Sequence, residues 1–158
     1  DSVVFIDMGA ESIDVNIYNA GILRFTRIIK AGGVYIDELL NGFIDDNNFE
    51  EYKMKDISLK EDEIEGTNIG IINEIDDWIE KIEKVIQFYS NKNKDKEISK
   101  IFIYGGSAKI KGLSDYMTKK LSINTERIKS IPKITLNYKE HCDNVDDYMN
   151  VTGAMMRI

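Results

Sequence analysis

The chain has 158 residues, of which 42% are hydrophobic and 31% charged, a composition that suits one globular domain with its own core and excludes intrinsic disorder. Its formal net charge is −7, which argues against a nucleic-acid or acidic-membrane binder because no excess of cations is available to neutralise phosphates. One cysteine, Cys142, and one histidine, His141, exclude an internal disulfide and argue against a Cys/His metal site.

Two further features concern membrane insertion and the start of the sequence. No apolar run approaches the roughly 18 to 20 residues that a membrane span needs, so we expect no direct membrane insertion. The chain begins at Asp1-Ser2 without a methionine and leads straight into an apolar run. We therefore expect it to be part of a longer protein.

Three predicted strands open the chain. Val3 to Ile6 is a continuous apolar run, typical of a central strand buried on both faces. Residues 12–18 alternate between apolar and polar side chains, which predicts a half-buried strand. Turn residues at 19–21 lead into a third strand over 22–30, so we expect three antiparallel strands.

A helix and a charged insert are predicted next. Gly32 and Gly33 end the third strand, and apolar residues at helical spacing predict a helix up to about Ile44. The segment 45–70 is strongly charged and weakly periodic, which predicts a small inserted lobe with a short helix over 49–55. Asn73 is the expected N-cap of a long helix whose apolar stripe includes Trp78.

The second half alternates helix and strand. Residues 100–104 predict a strand, parallel to its neighbour because a long helix feeds it. A helix over 113–121, a short strand over 126–131 and a final helix over 145–156 follow. The sequence thus predicts an α/β domain, formed by 1–44 and 71–158, in which a mixed sheet of antiparallel then parallel strands has helices on both faces.

The first candidate site is the turn Asp7-Met8-Gly9-Ala10-Glu11-Ser12, a D-x-G-x-x-S motif between two strands. Gly9 lets backbone N–H groups approach an oxyanion, and Ser12 can add a hydroxyl donor. Asp7 would repel a phosphate unless a Mg²⁺ ion lay between them. An ordinary β-turn with an aspartate at its rim is the alternative interpretation.

The second candidate site is the turn Gly105-Gly106-Ser107, which follows a predicted buried strand. Its glycines leave bare backbone against which a flat ring or a ribose can lie, although an ordinary strand-to-helix turn explains the same residues. Neither turn is a P-loop or a Rossmann fingerprint.

The order of these motifs resembles the second half of the actin-like ATPase superfamily, whose domains have a ribonuclease H-like fold. Within the superfamily, residues 4–12, 24–27, 31–33 and 103–113 are most similar to the PilM family of type IV pilus assembly proteins. The resemblance covers nearly the whole chain, although it is diffuse between 45 and 70.

The resemblance implies a nucleotide site at the two turns. Asp7 would belong to the water shell of a Mg²⁺ ion. The second phosphate loop would comprise Gly9, Ala10 and Ser12, and the adenosine turn would comprise Gly105, Gly106 and Ser107.

Three further residues take roles from the same resemblance. Gly33 would line the nucleotide cleft, and Glu50 and Lys53 would flank the ribose and the adenine. Phe49 and Tyr52 depart from the smaller or aliphatic residues usual in that helix, and two charges on a solvated helix face are the alternative interpretation of Glu50 and Lys53.

The resemblance also implies what the whole protein does. It would be a cytoplasmic protein at the inner face of the cell membrane, which binds ATP and Mg²⁺ and couples nucleotide state to the pilus platform. The first phosphate loop, the usual catalytic acid and the groove for a PilN-like inner-membrane protein lie in the half that this chain lacks, so we expect no catalytic residue here.

Two alternatives stay open at this point. One is an FtsA-like cell-division protein, and the other is an interaction scaffold that never binds nucleotide. The cleft face, exposed without the other half, predicts a tendency to form homodimers.

Overall fold

The computed structural model of the chain describes residues 2–41, 57, 59, 67–93 and 97–128. Within these residues one five-stranded sheet has the order β3-β2-β1-β4-β5. Its strands are β1 Ser2–Met8, β2 Ile13–Asn19, β3 Ile22–Ile29, β4 Ile98–Tyr104 and β5 Thr125–Arg127. The helices are α1 Gly33–Leu40, α2 Thr67–Lys92 and α3 Leu113–Leu121, and a 3-10 turn spans Gly106–Lys109.

The strand directions follow the predicted pattern. β1 pairs antiparallel with β2, and β2 pairs antiparallel with β3. β4 lies on the other side of β1 and runs parallel to it, as does β5 beside β4. The predicted mixed sheet is confirmed, because the long helix α2 carries the chain back to the end of the sheet from which β1 starts.

One core lies on one face of this sheet. The inward residues of β1 are Val4, Ile6 and Met8, and the described helices pack on the same side through residues such as Ile36 and Trp78. The intervening residues of β1 are only half-buried, so the prediction that this strand is buried on both faces is wrong. The strand is central in the sheet, but its second face carries large aromatic and charged side chains that keep part of their surface in solvent.

Helix α2 begins earlier than the sequence predicts. Asn73 lies inside the helix and is exposed, so its assignment as the N-cap is wrong. The apolar stripe extends upstream through Ile71 and Ile72, which are buried, and their burial favours helix before Asn73. Trp78 is fully buried and its Nε1 donates to Glu74 Oε1 at 2.7 Å, which satisfies the indole N–H. No described helix is both long and apolar enough to cross a membrane.

Parts of the prediction fall on residues that the structure does not describe. Ile57 and Leu59 of the charged insert are buried in the main core. The rest of the predicted lobe through residue 66, with its helix over 49–55, lies outside the described residues. So do the end of the first helix beyond residue 41, the predicted strand beyond residue 128 and the final helix over 145–156.

The turn after β1 is joined to the start of α1 through the backbone. The Gly33 N–H donates to the Gly9 carbonyl at 3.2 Å, and the Val34 N–H donates to the Ala10 carbonyl at 2.9 Å. These bonds satisfy two of the N–H groups that a helix start leaves without intrahelical partners. A Cβ on Gly32 would lie 2.7 Å from the Gly9 carbonyl oxygen and closer still to that of Ala10. Only a residue without a side chain fits between the turn and the helix.

We expect Gly32→Ala to lower the free energy of unfolding by about 3 kcal/mol, because the new methyl group meets backbone atoms that cannot move aside. Gly70→Ala is the matched control. Among the described residues its Cβ would contact only the Leu39 side chain, at 3.6 Å, and alanine is the better helix former by up to about 1 kcal/mol. Urea denaturation of the two variants checks this, and equal stability of both would contradict the crowding argument.

Candidate functional site

The two glycine turns lie side by side at the carboxyl ends of neighbouring parallel strands. One turn follows β1 and the other follows β4. The Ser107 hydroxyl, whose residue is only 4% exposed, donates to the Gly9 carbonyl at 3.1 Å. Ligand sites in open α/β sheets form at this edge, outside the carboxyl ends of the strands. The structure thus brings both predicted motifs into one place.

Asp7 lies directly against the second turn. A Cβ on Gly105 would be 2.5 Å from Asp7 Oδ1 and 2.9 Å from the Met8 carbonyl oxygen. Gly105 also has a φ of 92°, a conformation that favours glycine. Both the space and the backbone angle therefore require glycine here, and the backbone of this turn, which is predicted to receive adenosine, is packed on the carboxylate predicted to face the metal.

The first turn offers fewer free donors than its motif suggests. The Gly9 N–H is occupied, because it donates to the Ser12 carbonyl at 3.0 Å. Within the described residues, the N–H groups of Ala10 and Glu11 donate to no backbone carbonyl, and both residues are exposed. These two groups are the turn's backbone donors for an anionic ligand.

The remaining predicted residues divide into three kinds. Gly33 is buried, and its N–H donates to the Gly9 carbonyl, so it holds the first turn in place and has no N–H left for a ligand. Gly106 is exposed, and a Cβ there would meet no atom of the described residues within 4 Å. Glu50 and Lys53 lie outside the described residues.

A row of polar groups crosses the sheet beneath the turns, and the sequence pattern identified only one of its members, Asp7. Asp14 of β2, Asp7 of β1 and Tyr104 of β4 are paired in register. One carboxylate oxygen of Asp14 is buried and accepts no hydrogen bond within the described part of the chain. Two neighbouring carboxylates repel an approaching phosphate, so a phosphate at this edge requires a cation. The signal in the sequence was a pair of aspartates, Asp7 next to the end of β1 and Asp14 next to the start of β2. Paired positions of antiparallel strands lie on the same face of the sheet.

Burial and charge both act on Tyr104. The side chain is 8% exposed, and this burial raises the pKa of its phenol to about 12, with a further contribution from the negative charge of Asp7. The phenol therefore stays neutral beside the carboxylate. Within the described residues, no group of three or more histidine, cysteine, aspartate or glutamate side chains is placed to hold a metal ion directly.

Comparison with known proteins assigns this arrangement to a family. The family described as type IV pilus assembly protein PilM matches residues 1–157. Among curated proteins, none matches the chain significantly.

Solved structures share the fold. The PilM chain of a PilM–PilN type IV pilus biogenesis complex is 17% identical with a TM-score of 0.73, covering 99% of this chain and 45% of that one. MreB5 of Spiroplasma citri bound to AMPPNP is 13% identical with a TM-score of 0.66, covering 98% and 52%. The ethanolamine utilization protein EutJ from Carboxydothermus hydrogenoformans is 21% identical with a TM-score of 0.54, covering 80% and 43%. The chain thus has the actin-like ATPase fold and spans about half the length of these relatives.

The raised pKa of Tyr104 predicts a loss of stability in alkali. Its phenol loses a proton near pH 10 in the unfolded chain and near pH 12 in the folded one, so between these values the folded state holds the extra proton. The free energy of unfolding then falls as the pH rises, by about 3 kcal/mol in all.

The Tyr104→Phe variant should lose this decline and also the phenol that titrates near pH 12. Urea denaturation against pH and phenolate absorbance measure the two effects. Tyr35→Phe, which removes an exposed tyrosine of α1, should leave both unchanged. A late phenol that persists in Tyr104→Phe would contradict the assignment.

Proposed function

Because the chain belongs to the PilM family of type IV pilus assembly proteins, we propose that it forms the second half of an ATP–Mg²⁺ clamp. In the intact protein, the clamp couples nucleotide state to a PilN-like protein of the inner membrane. The observation that carries the proposal is the convergence of Asp7 and both glycine turns at one edge of the sheet.

The residues present suit a magnesium nucleotide. The N–H groups of Ala10 and Glu11 and the hydroxyl of Ser12 provide donors for phosphate oxygens. Asp7 would hold Mg²⁺ through water, and Gly105 and Gly106 would receive the ribose and adenine on bare backbone. The ion supplies the positive charge that lets a phosphate approach the carboxylates of this edge.

Two relatives support the nucleotide and the partner. MreB5, which has the same fold, was solved with AMPPNP bound. The PilM–PilN type IV pilus biogenesis complex contains a chain with this fold together with its partner. The groove for a PilN-like protein would lie in the half of the clamp that this chain does not span. The intact protein would then act at the inner face of the cell membrane, because its proposed partner is an inner-membrane protein.

Nucleotide acts here through differential binding. A ligand that touches both halves of a clamp stabilises the closed arrangement by the contacts it makes only there. This half contributes the phosphate turn, the adenosine turn and Asp7, and we assign no catalytic residue to it. The proposed role of the site is therefore conformational.

One observation favours a second candidate function, an actin-like scaffold that never binds nucleotide. The exposed carboxylate of Glu11 lies in the phosphate turn itself, where it adds to the negative charge of Asp7. The family match leaves the FtsA-like alternative without support.

Calorimetric titration of ATP–Mg²⁺ into the intact protein tests the clamp. We expect binding, and we expect Asp7→Ala to weaken it by about 10- to 100-fold, because residues that act on a metal through its shell have effects of that size. Asp115→Ala removes an exposed aspartate on α3 and should leave the affinity unchanged.

Assembly of pili in cells separates the two candidate functions. The clamp requires that Asp7→Ala impairs assembly, whereas the scaffold requires that it does not. An intact protein that folds but takes up no ATP–Mg²⁺ would overturn the clamp.

A further inference from the structure

A groove between α2 and β3 shares no residue with the two glycine turns. It has a volume of about 290 Å³ and is lined by Phe25 and Arg27 of β3 and by Lys84, Val85 and Phe88 of α2. This volume lies at the lower end of the range of ligand pockets, and it suits one large side chain better than a whole cofactor.

The floor of the groove is aromatic. The rings of Phe25 and Phe88 lie 5.6 Å apart between centroids, tilted by 45°. Phe88 is 46% exposed, although a phenylalanine is more often found inside a protein. The Lys92 ammonium lies 4.3 Å from the centre of its ring. The groove therefore offers an apolar surface with a cation at its rim.

The charge of this region is opposite to that of the chain as a whole. Residues 22–30 contain Arg24, Arg27 and Lys30 and no acidic residue, in a chain of net charge −7. Lys84 is paired with Glu80 on its own helix. An arginine fork matches a carboxylate in two parallel hydrogen bonds. Arg27 is thus an exposed cation whose guanidinium can pair with a carboxylate from outside the chain.

The strand that lines the groove, β3, is also an edge strand of the described sheet. β3 is the outermost strand on its side of the described sheet. Ile22, Leu23 and Ile28 are exposed along it, Ile28 by 65%. An edge strand presents unpaired backbone N–H and C=O groups to any extended chain that reaches it.

We propose that the α2–β3 groove and the adjoining edge of β3 bind an extended segment of a partner protein. The segment carries a carboxylate two residues away from an aromatic or branched aliphatic side chain, so that both face the groove. The apolar side chain packs on Phe25 and Phe88, the carboxylate pairs with Arg27, and the main chain pairs with the edge of β3. This surface lies outside the proposed nucleotide site, so the two proposals fail independently.

Fluorescence anisotropy with the intact protein tests the proposal. The probe is a short labelled peptide in which glutamate and phenylalanine or valine lie two residues apart with threonine between them, so that both face the same side, and its partner probe has lysine in place of every glutamate. We expect the acidic peptide to bind and the lysine peptide not to bind. Arg27→Glu and Phe88→Ala should each weaken binding by about tenfold or more. Arg27→Glu should keep the circular dichroism spectrum and the urea midpoint of the parent protein, which shows that the variant is folded.

Lys111→Glu is the matched control, since it reverses an exposed charge in the turn before α3 and should not affect the peptide. Equal binding of both peptides, no binding of either, or insensitivity to Arg27→Glu would each overturn the proposal. So would sedimentation that shows a dimer dissociated by Arg27→Glu, because the occupant would then be a second copy of the chain.

Discussion

The candidate site depends on one carbonyl group. The Gly9 carbonyl accepts the Gly33 N–H at 3.2 Å and the Ser107 hydroxyl at 3.1 Å, and a carbonyl oxygen has two lone pairs for two such bonds. Through this oxygen the first hairpin is joined both to the helix that follows the hairpins and to the turn after β4. Because both glycine turns meet there, a ligand that contacts one turn is held in a fixed position relative to the other.

Charge divides the surface into two regions with different ligands. Asp7 and Asp14 lie side by side beneath the turns, so a phosphate reaches this edge only with a cation. The β3 side has the opposite character, since Arg27 is the proposed partner of a carboxylate. The two proposals therefore give a protein of net charge −7 a site for a metal-bound anion and a separate surface for an acidic segment.

Local pattern explains most of the predicted elements and also the failures among them. Alternation of apolar and polar residues is a property of neighbouring positions, so β2 and α3 lie close to where the sequence places them. The prediction of Asn73 as an N-cap was wrong because a good capping residue is also tolerated on an exposed helix surface. Burial of the residues before it favoured a longer helix. The apolar run in β1 predicted two buried faces, but burial of a face depends on what packs against it.

The sequence by itself determined the motifs, because D-x-G-x-x-S and Gly-Gly-Ser express local needs for tight backbone and small residues. Only the tertiary structure decided that they form one site. Ser107 and Gly9 are 98 residues apart, and parallel pairing of β1 with β4 brings them together. The same pairing places Tyr104, with the raised pKa of its phenol, beside the Asp7–Asp14 pair of the first hairpin. Such contacts depend on register between distant strands, which no local pattern contains.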